Sequence, residues 1–168
     1  MRVTEPLRAT HTGLLPHIEE LRSAAELVGD ADWATLRAAV DRNVAFLEAH
    51  LLPHIATEDL VIYPTVDRVV GSPATATMRR EHGEITALVT ELRGVAALLA
   101  KAPLDDRQSR GLRRILYGLY TLVKVHVGNE ENVLLSLLDE RLTPAEAAAL
   151  FGSLHRAGNG GAVAPARG

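Results

Sequence analysis

Three sets of helix-breaking residues, Gly29-Asp30, Gly71-Ser72-Pro73 and Lys101-Ala102-Pro103, divide most of the chain into four long segments. Within each, apolar residues recur alternately three and four positions apart. That spacing is the seam of a helix packed lengthwise against neighbours, and it allows few folds. Ala, Leu, Glu and Arg dominate while aromatic residues make up 4%, so the intrinsic preference is helical almost throughout. No strand-like alternation competes with it. Short connections make successive helices antiparallel, so the pattern predicts an all-α, up-down-up-down four-helix bundle.

A fourth break, Arg141-Leu142-Thr143-Pro144, doubles as a start signal. Thr143 can cap a new helix with Pro144 in its first position and Glu146 completing a capping box, which predicts a short fifth helix over 144–156. From Gly158 the sequence is rich in glycine with little to bury, the composition of a disordered tail. A chain of 168 residues suits one core, giving a single domain over 1–157 and a flexible tail over 158–168.

The polar residues on the inward stripes carry the chemistry. The first stripe reads Leu7, His11, Leu14, Ile18, Leu21, Ala25, Val28, with one histidine in an apolar position. The second runs Val40, Val44, Leu47, Leu51, His54, Glu58, Val61, Thr65; the third, Met78, His82, Ile85, Val89, Leu92, Ala96, Leu99. The fourth, Leu112, Leu116, Leu119, Val123, His126, Glu130, Val133, Leu137, repeats the His-x3-Glu pair of the second. Counting from the turn between segments three and four, His82 lies 19 residues before Lys101 and His126 lies 19 after Arg107, so the two share one height. His11, His54, Glu58, His82, His126 and Glu130 are thereby expected to converge on one layer.

Burying an unpartnered polar group costs about 1–3 kcal/mol, and a domain has only about 5–15 kcal/mol of net stability, so six such groups need compensation. Either the glutamates pair with protonated histidines in a metal-free structural network, or a cation binds them all. The chain has no cysteine, so any metal must take nitrogen and oxygen donors. Four imidazoles and two carboxylates exceed a tetrahedral zinc site and suit two five- or six-coordinate iron ions with oxo and carboxylate bridges, although manganese or zinc can use the same donors. Fewer than twelve protein donors would leave open positions for a small ligand.

Other classes are set aside on composition. A net charge of −3 with no basic stripe gives no footprint for nucleic acid. No apolar run approaches the ~20 residues of a membrane-spanning helix. The N-terminus, Met1-Arg2-Val3-Thr4-Glu5-Pro6, lacks the pattern of a secretory signal, so the expected location is cytoplasmic. No protein partner is indicated.

The segments His50-Leu-Leu-Pro-His54-Ile-Ala-Thr-Glu58-Asp-Leu-Val-Ile-Tyr63-Pro64 and His126-Val-Gly-Asn-Glu130-Glu131 resemble the hemerythrin-like, HHE cation-binding family, over roughly residues 4–140. The resemblance implies that His11, His54, Glu58, His82, His126 and Glu130 are iron ligands, with the glutamates as bridges. Oxygen-carrying members offer His-x3-His on the third helix, where this chain has His82-x3-Thr86, and His-x4-Asp on the fourth. One ligand is therefore missing, and His17, His50, Tyr63, Glu81, Glu131 or water are the candidates to replace it. Glu131 and Asp59, each following a ligand glutamate, are also expected to orient imidazoles by hydrogen bonds. A donor-poor iron points away from oxygen carriage and toward dioxygen, peroxide or nitric oxide chemistry in stress defence, with reversible oxygen or iron sensing as the alternative.

Overall fold

The computed structural model describes residues 2–71 and 73–159. Among these the chain forms five helical rods and no strand. We label them α1 (Glu5–Leu27), α2 (33–70), α3 (Ala76–Leu99), α4 (106–141) and α5 (Pro144–Asn159). Helix α1 packs on α2 and α4, and α3 packs on the same two, so the first four close into a ring, while α5 lies across α2. The expected bundle and short fifth helix are both present. The fifth helix reaches Asn159, past the anticipated end at Arg156, and the rest of the expected tail, 160–168, lies outside the described residues.

Local chemistry sets the rod ends. Gly71 stops α2 with a φ of 78°, a left-handed conformation that glycine adopts without a Cβ penalty. Asp105 and Gln108 form a reciprocal capping box at the start of α4. Thr143 and Glu146 exchange hydrogen bonds at the start of α5, as their spacing predicted. No helix of the described residues is long and apolar enough to cross a membrane.

Two of the four rods are not uniform α-helix. In α2, π-helical turns occupy Leu47–Leu51 and Glu58–Ile62, and in α4 a third occupies Glu130–Leu134. Pro53 and Pro64 each follow directly on a π turn. A proline lacks the N–H that would close the preceding turn, and its ring collides with the carbonyl four residues back. That carbonyl belongs to Ala49 and to Leu60, and the wider turn carries it clear of the ring. The third π turn has no proline behind it.

Each π turn adds one residue to the repeat and rotates everything after it, which corrects the sequence stripes beyond the two glutamates. Past Glu58 the buried positions are Ile62, Tyr63 and Val66, not Val61 and Thr65; past Glu130 they are Leu134, Leu135 and Leu138, not Val133 and Leu137. Val133 is 60% exposed. The first stripe, on a rod with no π turn, is buried at all seven expected positions.

The interior has two apolar clusters. The larger runs from Leu14, Ile55, Ile85 and Val127 toward the α1–α2 turn, and the smaller holds Leu7, Ile62, Tyr63, Met78, Leu134 and Leu150. Along every rod of the bundle, the polar stripe residues fall between the two. They form a buried polar layer with apolar packing above and below.

One clamp at the edge of the smaller cluster is testable. Asp139 of α4 accepts hydrogen bonds from the backbone N–H and hydroxyl of Thr4, each at 2.9 Å, and from Arg8 at 3.2 Å. Burial works to raise its pKa, but these bonds win and hold it below its ordinary value of 3.8. A carboxyl with a depressed folded pKa stabilises above its unfolded pKa and loses that contribution as the pH falls. Asp139→Ala is expected to cost about 2 kcal/mol near neutrality. The gap between its denaturation midpoint and that of the parent should close at acid pH; a gap constant across that range would refute this account.

Candidate metal centre

The polar layer is dry. His11, Glu58, His82, His126 and Glu130 are 2–3% exposed, and the side chain of His54 is 12% exposed. His54 and Glu58 lie one α-helical turn apart, as do His126 and Glu130, so each pair projects from one face of its rod. Each glutamate then opens a π turn. The expected convergence is met: all six side chains surround one volume in the bundle axis, in two overlapping groups. One comprises His11, His54, Glu58 and Glu130, the other Glu58, His82, His126 and Glu130, with the donor atoms of each within 4.8 Å of one another.

Both glutamates belong to both groups, and the atoms show how. Glu58 Oε1 lies 2.9 Å from His54 Nε2 and 3.4 Å from His11 Nε2, while its Oε2 lies 3.5 Å from His82 Nε2. Glu130 Oε2 lies 3.3 Å from His11 Nε2 and 3.7 Å from His126 Nε2. The Nε2 atoms of His82 and His126 face each other at 2.9 Å. Donors bound at about 2.1 Å to one ion at right angles stand about 3 Å apart, the lower end of these separations. Glu58 Oε2, Glu130 Oε2 and His54 Nε2 are buried without a hydrogen bond, which is costly unless something else satisfies them. The donor set fits a cation.

The outer nitrogens are held as well. His11 Nδ1 meets Glu131 at 2.7 Å, His126 Nδ1 meets Glu81 at 2.8 Å, and His82 Nδ1 lies 3.1 Å from Asp59. Glu131 is itself gripped by the Arg8 guanidinium, and Asp59 by Arg79 at 3.3 Å. A carboxylate on Nδ1 fixes the tautomer that leaves Nε2 free for a ligand and makes that nitrogen more basic. Glu131 and Asp59 thus stand where their positions after the glutamates suggested.

Without an ion the layer compensates itself. Burial opposes the charged form of His11, but hydrogen bonds and the charges of Glu130 and Glu58 outweigh it and raise its pKa to about 10. The same contest, with Glu58 and Asp59 as partners, raises His82 above its ordinary value. Burial pushes Glu58 up, and hydrogen bonds from His11, His54 and His82 bring it well below the usual carboxylate range.

Five candidates for the missing ligand are now placed. His17 stacks on Phe46 with centroids 4.5 Å apart and is half exposed, and His50 is exposed on the same flank, so neither reaches the layer. Glu81 and Glu131 are taken up on outer nitrogens. Tyr63 is inside. Fully buried, it donates its hydroxyl to Glu130 Oε1 at 2.6 Å and stands 3.1 Å from His82 Nε2 and 3.4 Å from His126 Nε2. Burial and then the charges of Glu130 and Glu58 hold its phenol protonated, well above the ordinary range. Thr86 offers no donor, since its hydroxyl is given to the His82 carbonyl at 2.8 Å.

The hemerythrin HHE cation-binding domain model matches residues 2–138, a span that contains all six layer residues. The chain belongs to the hemerythrin HHE cation-binding family. No curated protein and no solved structure matches it. As a metal-binding hemerythrin-like protein it departs from the oxygen carriers at the third helix, where Thr86 stands in place of a histidine. Glu81, a residue the stripes did not select, holds His126 from the neighbouring helix. No spacing rule predicts such a contact, because its partner is 45 residues away in the chain.

Proposed function

We propose that the six layer residues hold two iron ions and that the loaded centre reacts with a small oxidant, hydrogen peroxide or nitric oxide, in oxidative or nitrosative stress defence. The observation that carries this reading is the division of Glu58, one oxygen toward His11 and His54 and the other toward His82. A single-ion site has no use for a carboxylate spread in this way. Glu130 is shared similarly, so both carboxylates bridge and each half retains two imidazoles. Hard carboxylate with borderline imidazole is a donor set suited to both ferrous and ferric iron.

When bound, such a pair of ions supplies electrons and open coordination positions for reducing a small oxidant. The chain's own residues set the stage for that chemistry. Glu131, Glu81 and Asp59 hold three imidazoles in one tautomer and orientation. Tyr63 takes the place nearest to the missing donor, with its proton on Glu130 and its oxygen against His82 and His126. The apolar clusters above and below exclude water from the layer, which strengthens every charge interaction inside it.

The test is iron-loaded protein mixed separately with hydrogen peroxide and with nitric oxide. Consumption of either, lost on removal of the iron, is the expected result. Stable, reversible dioxygen binding with peroxide and nitric oxide left at their buffer rates would overturn the defence reading in favour of carriage or sensing.

A further inference from the structure

We infer that the small ligand reaches the centre from one side only, through a groove between α1 and α2 that ends on His54, and that it engages the His11/His54 half. This rests on the two-ion reading above and adds which half is open, by what route, and to what chemical class.

Four observations converge. First, His54 is the most exposed of the layer histidines, at 12% against 2–3% for the others. Second, a groove of about 520 Å³ meets it there, walled by Leu7 and Leu14 of α1, by Ala49 and Pro53 of α2, and by Phe151 and Leu154 of α5. Third, three layer histidines have a carboxylate against Nδ1, whereas none is found for His54 among the described residues. Fourth, the opposite half is stoppered from within, because the Tyr63 hydroxyl sits against His82, His126 and Glu130. A hollow of about 490 Å³ also touches His82, but Asp59 and Arg79 line it and Asp59 faces the outer nitrogen of that ring, so this hollow ends on the wrong side of the imidazole.

The lining specifies the traveller. No Asp, Glu, Lys or Arg faces the groove, and its polar residues are Thr10, His50, His54 and Thr57. An ion would shed its hydration along such a wall without replacement, whereas a small uncharged molecule would not. The route therefore selects neutral ligands such as nitric oxide or undissociated peroxide. One wall comes from α5, which lies beyond residues 2–138 matched by the family model.

The experiment narrows each opening separately. Ala49→Trp and Thr10→Trp both place an indole in the groove from exposed positions, one from each side. Gly83→Trp fills the hollow beside His82, where an added Cβ meets nothing within 4 Å. On ferrous protein, nitric oxide association followed by stopped-flow absorbance should slow by about one decade in either groove variant and hold within about twofold in Gly83→Trp. On metal-free protein, diethyl pyrocarbonate labelling mapped by peptide mass should modify His54 ahead of His11, His82 and His126, and the groove variants should protect it. Unchanged association in both groove variants, or slowing in Gly83→Trp alone, would overturn the route. The labelling arm needs no iron, so it decides the groove even if the two-ion reading fails: protection of His54 supports the route and equal labelling refutes it.

Discussion

Adding ferrous iron anaerobically to the metal-free protein is expected to raise its melting temperature by about 10 °C. A ligand that binds only the folded chain stabilises it by about 4 kcal/mol at a thousandfold excess over its dissociation constant. In a chain of this length each kcal/mol is worth about 2–4 °C. The unfolded chain cannot compete well, because the donors come from four separate helices and meet only when the bundle closes. The gain should still fall short of twice the single-ion figure. The metal-free layer is already compensated by charged His11 against Glu58 and Glu130, and an arriving ion must displace those protons. Calorimetry with and without iron, reversed by a chelator, measures the shift. Coincident melting curves would mean that the layer is a buried ion-pair network with a structural role, the reading that its metal-free electrostatics also permit.

How much of this was legible beforehand depends on where the helix is regular. In α1 and α3 the three-four spacing holds from end to end, and the expected stripes are the buried ones, Ala96 alone being half covered. The six layer residues were readable because each lies before or at the start of the π turn that would have displaced it. Beyond Glu58 and Glu130 the same reading fails by one residue. Tyr63 shows the consequence: counted along an ideal helix it lies off the stripe, yet the π turn over Glu58–Ile62 rotates it into the layer. Pro64 was the available signal, since a proline inside a helical pattern demands some relief one turn earlier. No comparable signal announces the turn over Glu130–Leu134. Contacts between helices, such as Glu81 with His126 or Asp139 with Thr4, depend on relative rotation and height, which periodicity within one segment does not encode.

That layered construction explains why the site tolerates six polar side chains in a small bundle. The larger apolar cluster carries most of the bundle's length, and the smaller, sealed by Leu150 of α5 and clamped by Asp139, closes the far end. Between them, each charge has a partner on another helix, so the polar layer also fixes the register of the four rods. A one-residue slip of α2 would take Glu58 from three imidazoles at once.

Glu58 and His54 differ in how many groups they serve, and this separates the two-ion arrangement from a single site. Glu58 belongs to both donor groups and His54 to one. In Glu58→Ala neither group keeps its shared oxygen on the α2 side, so both ions should be lost and metal content should fall from near two per chain to near zero. In His54→Ala the group of Glu58, His82, His126 and Glu130 is intact, with Tyr63 beside it, so near one ion per chain should remain. The metal-free proteins should diverge in the same order. Glu58 is the carboxylate against which His11, His54 and His82 are all set, and removing one partner of a buried network costs about 3–5 kcal/mol, here toward the lower figure because an imidazole can shed its proton. Glu58→Gln keeps the shape and loses the charge, so it isolates metal retention from packing. Elemental analysis after loading and dialysis reads the outcome directly. Two ions retained in Glu58→Ala would remove the bridging role, and complete loss in His54→Ala would reduce the two overlapping groups to one indivisible site.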